Sequence, residues 1–149
     1  MQWILIRTTV YLMKCTAIFL FLVLSAPGGS AVAKHSHREY ACKTPEIATS
    51  CYWTHGRLGA NNGTPAFRLW KVGTSRLLGI YSGPEAFKRR YELLDNEHPD
   101  FPENIKRRFI PLKNRVFADF EVCPLEPERT GVMQAVCIES ATNVVVVED

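Results

Sequence analysis

Arg68, Trp70 and Lys71 stand together in the run Ala66-Phe-Arg-Leu-Trp-Lys-Val72, and Trp53 and His55 occur in Cys51-Tyr-Trp-Thr-His-Gly-Arg-Leu58. Both runs read as strands. On neighbouring strands the five residues would form a cationic, aromatic platform of the kind on which sugar or base faces stack. Tryptophan is also highly buried on average, which favours one or both rings closing the barrel core instead. Catalysis needs a nucleophile or an acid–base pair with an orienting partner. His55, Asp119, Glu121 and Glu139 are available for that, yet no Gly-x-Ser-x-Gly, no His-Glu-x-x-His and no phosphate-cradling glycine loop fixes their spacing. The residues therefore favour a non-catalytic binding or interaction module, with a glycan, peptide or protein as partner. The alternative is a small hydrolase using His55 with an acidic partner. Neither reading calls for a cofactor or a metal.

The elements that must position these residues begin after a targeting segment. Lys14 precedes the apolar stretch Ala17 to Leu24, Ala31-Val-Ala33 follows, and no acid appears before Glu39. A positive n-region, an apolar core and a small-residue cleavage signal define a secretory signal peptide. Cleavage is expected after Ala33, which places the protein in the periplasm or outside the cell. An uncleaved segment would instead anchor it in the inner membrane. Removing residues 1–33 takes away Arg7 and Lys14 only, leaving 16 basic and 15 acidic residues. Bulk charge thus names no partner. It is unevenly placed: residues 57–115 hold 12 basic and 6 acidic side chains, and residues 116–149 hold 1 basic and 7 acidic. Nucleic-acid binding wants a continuous basic footprint, so this segregation weighs against it. Lys88-Arg-Arg90 and Lys106-Arg-Arg108 offer at most weak contact with an anionic surface, and solvated helix faces explain such triplets as well.

Residues 34–48 read as an N-terminal extension, loose at Lys34 to Tyr40, and residues 49–149 as one β-rich domain. His35 and His37 are two ligands, too few for a metal site. Strand-like runs cover 51–58, 66–72, 76–81, 115–123 and 133–139, the last followed by a break at Asn143. Phe87, Tyr91 and Leu94 are spaced as one face of a short amphipathic helix. A second short helix is expected over Glu103 to Arg108. Three strands, a helical insertion and two strands is the order of the OB-fold, a five-stranded, partly open barrel; a small β-sandwich is the alternative. In the fourth strand Val116, Ala118, Phe120 and Val122 share the core face, and Arg115, Phe117, Asp119, Glu121 and Cys123 share the other.

Four cysteines remain after cleavage: Cys42, Cys51, Cys123 and Cys137. In a short exported chain an even count reads as disulfides, whereas a zinc site would show close Cys-x2-Cys pairs. If Pro124 to Gly131 closes a hairpin, Cys123 faces Cys137 across it. That predicts a Cys123–Cys137 bridge and leaves Cys42–Cys51 as the second.

The runs Cys51 to Leu58, Asn62-Gly-Thr-Pro-Ala-Phe-Arg-Leu-Trp-Lys-Val-Gly-Thr74, Arg76-Leu-Leu-Gly-Ile80, Ala118-Asp-Phe-Glu-Val-Cys-Pro124 and Cys137-Ile-Glu-Ser140 resemble a group of small, uncharacterised exported bacterial proteins. The resemblance implies export and a compact fold, and carries no activity with it.

Overall fold

Alternation of apolar and polar residues produces five strands, β1 (Tyr52–Ala60), β2 (Phe67–Lys71), β3 (Leu77–Ile80), β4 (Asn114–Pro124) and β5 (Gln134–Glu148), in a computed structural model that describes residues 38–149. The targeting segment expected over 1–33, and His35 and His37, lie outside the described residues. β1 pairs antiparallel with β2 and with β4, β2 pairs with β3, β4 pairs with β5, and β3 runs parallel to β5. The five strands therefore close in a ring, ordered β1-β2-β3-β5-β4, instead of facing each other as the two sheets of a sandwich. Gly73, at φ 81°, supplies the left-handed residue of the turn between β2 and β3.

Side chains pointing into the ring form the core. Val116, Ala118, Phe120 and Val122 of β4 are fully buried and meet Leu58, Leu69, Leu78, Ile80, Val136 and Ile138 from the other strands. Between β3 and β4 the chain forms three short helices, α1 (Pro84–Lys88), α2 (Arg90–Leu93) and α3 (Glu103–Lys106). Phe101, Ile105 and Phe109 from this stretch join the core, and Phe67 packs edge-to-face on Phe101 and Phe109 at centroid distances of 5.4 and 5.8 Å. Such pairs add to what area burial provides.

The single amphipathic helix expected over Phe87 to Leu94 is not formed. The helix is interrupted at Arg89, Tyr91 and Leu94 are exposed, and Leu94 adopts the left-handed conformation. Arg90 covers the aromatic side chains instead, its guanidinium lying 4.4 Å from the Phe87 ring and 4.8 Å from the Tyr91 ring. The basic triplets are likewise answered locally, Lys88 by Glu85, Arg89 by Glu92, Lys106 by Asp100 and Arg107 by Glu103. Asn143 does take positive φ, but β5 continues through it to Glu148. The loose terminus expected at Lys34 to Tyr40 is tied down from Arg38 onward. Arg38 donates to the Ile138 and Glu139 carbonyls, and the Glu39 N–H donates to Asp100.

The proposed cysteine pairing is overturned. The bridges are Cys42–Cys137 and Cys51–Cys123. The hairpin register expected from the sequence is present, for Cys123 opposes Cys137. What hairpin geometry omits is the β1–β4 seam. Tyr52 opposes Val122 there, so one step further along an antiparallel ladder Cys51 falls opposite Cys123, and Cys42 takes the remaining sulfur. Cys123 was expected on the outer face; a register shift between Glu121 and Val122 and the cover of Ile47, Cys51 and Leu125 leave it fully buried.

Asp95 is the buried carboxylate that pins the helical stretch to the end of β3. It accepts the Ser82 N–H at 3.0 Å and the Ser82 hydroxyl, and that hydroxyl accepts the Asp100 N–H at 2.7 Å. Burial pushes the Asp95 carboxyl above the usual range, opposed by the two donors of Ser82. A raised folded-state pKa means that the group favours folding less as pH rises through the acid range. Ser82→Ala removes the hydroxyl donor. The Asp95 carboxyl should rise further in an NMR titration, and stability at neutral pH should fall by about 1.5–3 kcal/mol. That deficit should shrink when the carboxyl is protonated; a deficit independent of pH would show that the hydroxyl does not serve the carboxylate.

Candidate functional site

Alternation along β1 sends Trp53, His55, Arg57 and Gly59 outward, away from the core. Pairing then aligns outward side chains in rows across the sheet. One row crosses all five strands: Leu77 opposes Trp70, Trp70 opposes Arg57, Arg57 opposes Phe117, and Phe117 opposes Val145. In the next row Arg68 opposes Gly59, and Arg115 opposes Val147.

Trp70 is not a core residue. It stands half-buried on the outer face, held by donation from Nε1 to the Thr74 carbonyl at 2.6 Å, with the Arg57 guanidinium 5.0 Å from its ring centroid. A groove of about 150 Å³ opens beside it, lined by Arg57, Gly59, Arg68, Trp70, Leu77 and Arg115 among others. Arg68 is held at the rim by the Pro65 and Asn62 carbonyls. Arg115 reaches across β1 to the Ala60 carbonyl at 2.8 Å and pairs with Asp149 at 2.9 Å.

Of the five residues singled out in the sequence, Arg68 and Trp70 belong to this groove. Lys71 does not, because it follows Trp70 and so points to the opposite face, where its ammonium lies 5.0 Å from the Tyr52 ring centroid. Trp53 is outward and 53% exposed, but four positions from Arg57, about 13 Å at ordinary strand rise. His55 lies between them and meets β4 instead. Its Nδ1 is 2.9 Å from Asp119 Oδ1, and the other Asp119 oxygen accepts the Asn143 amide at 2.7 Å. Asn143 first and His55 second hold the Asp119 carboxyl below its ordinary range. Beyond this pair, Lys43 donates to Glu121 at 2.6 Å and holds that carboxyl low, with help from Ser140.

Arg57, Arg115 and Phe117 were not singled out as site residues. Their signal was the strand period, which puts Arg57 in phase with His55 and Arg115 in phase with Asp119. No family model, no curated protein and no solved structure matches this chain. A wider depression of about 690 Å³ lies beside Glu39, His98 and Asp100. Both Asp100 oxygens there are already occupied by the Glu39 N–H and Lys106. The zinc alternative for the cysteines lapses for a similar reason. The sulfurs of Cys42, Cys123 and Cys137 lie within 4.8 Å of one another, but all are consumed in bridges and offer no thiolate.

Proposed function

We propose that this protein is an exported, non-catalytic binding module with an OB-fold, holding its ligand on the outer face of β1, β2 and β4. The OB assignment is supported by the strand order, by the parallel β3–β5 contact and by the helices between β3 and β4. Export is supported by the signal-like N-terminal sequence and by two disulfides, which persist in oxidising compartments. Among the described residues no helix is long and apolar enough to cross a membrane. The observation that carries the binding role is the placement of Trp70. A large ring sits outside the core, fixed at its edge, with an arginine on its face and a groove beside it.

A second reading rests on His55 and Asp119, whose 2.9 Å contact is the orienting half of an acid–base device. The two separate by mutation. Trp70→Ala should leave the circular dichroism spectrum unchanged and weaken ligand binding on a glycan and peptide panel by about tenfold or more, in line with about 1–3 kcal/mol for a stacking aromatic. Trp53→Ala and His55→Ala should leave that binding intact. Turnover of a glycan, phosphodiester or peptide substrate that disappears in His55→Ala and survives in Trp70→Ala would establish the hydrolase instead.

A further inference from the structure

We infer that the groove beside Trp70 receives one acidic sugar ring of a glycan, its oxyanion held by Arg57 and Arg115; this rests on the binding-module reading above. The first observation is charge. Three guanidiniums, from Arg57, Arg68 and Arg115, line one small groove. Among the described residues Asp149 is the only carboxylate that pairs with any of them. Arg57 makes no described hydrogen bond or ion pair and has only the ring of Trp70 for company. Gathering like charges without matching counter-charges disfavours the empty groove, and an anion reverses the sign of that term. A guanidinium has five donors in a planar fork suited to carboxylate or sulfate oxygens, and those of Arg57 are unspent.

The second observation is Gly59. A glycine within a strand weakens it, and often marks a place where another group must come close to the backbone. A Cβ at Gly59 would lie 2.2 Å from Arg115 Nη1 and 2.9 Å from Arg115 Cδ. The absent side chain is what lets Arg115 lie across β1, in the groove that Arg57 also lines.

Three features choose a sugar over other anions. The groove is about 150 Å³, below the roughly 300–1,000 Å³ of pockets for larger ligands, so it admits one ring. A polyphosphate running past it would meet Asp119 and Glu121 toward one end of the outer face, opposite His55 and Trp53, and Asp149 at the other, beside Arg115. An extended peptide normally adds to a sheet edge, but here β1 is already paired on both sides, with β2 and with β4. Trp70 and Leu77 provide the apolar wall for the ring.

The test is calorimetric titration of the disulfide-intact protein with trigalacturonate, its methyl ester, galactose 6-sulfate, tetraglutamate and a ten-residue oligothymidylate. Expected is binding of trigalacturonate or galactose 6-sulfate, with the neutral ester at least about tenfold weaker, as loss of a charge-assisted hydrogen bond implies. Arg57→Gln and Arg115→Gln should each remove about tenfold for the acidic sugar and narrow its advantage over the ester. Gly59→Ala should reproduce the Arg115→Gln loss. Arg57 is exposed, so its variant should melt with the wild type and report on binding alone. Equal affinity for acid and ester overturns the oxyanion assignment and leaves the binding module standing. Preference for tetraglutamate or oligothymidylate overturns the choice of a sugar. Binding of the acidic sugar that survives both arginine variants but fails in Trp70→Ala overturns the arginine roles, and no binding of any probe overturns the inference outright.

Discussion

Peptide maps of the unreduced protein are expected to join Cys42 to Cys137 and Cys51 to Cys123, and either bridge by itself should stabilise the domain by about 4.5 kcal/mol over the chain that has neither. The estimate follows from separations of 95 and 72 residues along the chain, since the entropy a cross-link removes from the unfolded chain grows with the loop it closes. A hairpin bridge between Cys123 and Cys137 would close a much shorter loop and give about 3 kcal/mol. A domain of this size holds only about 5–15 kcal/mol in all. The paired variants Cys51→Ala with Cys123→Ala, and Cys42→Ala with Cys137→Ala, each leave the other bridge without a stray thiol. Urea unfolding should show each of them near the edge of stability, and the fourfold variant should be unfolded at growth temperature. A fragment linking Cys123 to Cys137 in the native protein would contradict the β1–β4 seam.

Phe120→Ala should cost about 3–5 kcal/mol, the range for emptying a fully buried aromatic site. Phe120 has no exposed surface and stands on β4 between Thr54 of β1 and Ala141 of β5. It packs at the seam where the ring closes, so its removal takes contacts from strands far apart in sequence. Phe120→Leu, which refills most of the volume, should recover a large part of the loss. Urea denaturation measures both, and a loss under about 1 kcal/mol for alanine would mean that the interior of the ring is not packed around this side chain.

The sequence determined what short-range periodicity can encode. Alternation over Arg115 to Val122 assigned both faces of β4 correctly, because side-chain direction in a strand depends only on position along it. The short loop from Pro124 to Gly131 likewise determined that Cys123 faces Cys137. Local spacing was a weaker guide between β3 and β4. Phe87, Tyr91 and Leu94 have helical spacing, but only Phe87 meets a buried side chain, packing on Tyr81, while Tyr91 and Leu94 are exposed, and an amphipathic face with so small a partner has little to hold it in one helix. Only the tertiary structure decided what depends on which edges meet. The pairing of β1 with β4 brought Cys51 to Cys123, His55 to Asp119 and Arg57 to Phe117, and Arg115 of β4 across to Gly59. It also gathered Arg57, Arg68 and Arg115 around one groove while turning Lys71 to the other face. These partners lie tens of residues apart, and no local pattern distinguishes one antiparallel edge from another. Closing the ring satisfies the last free strand edges, and that closure selects the neighbours.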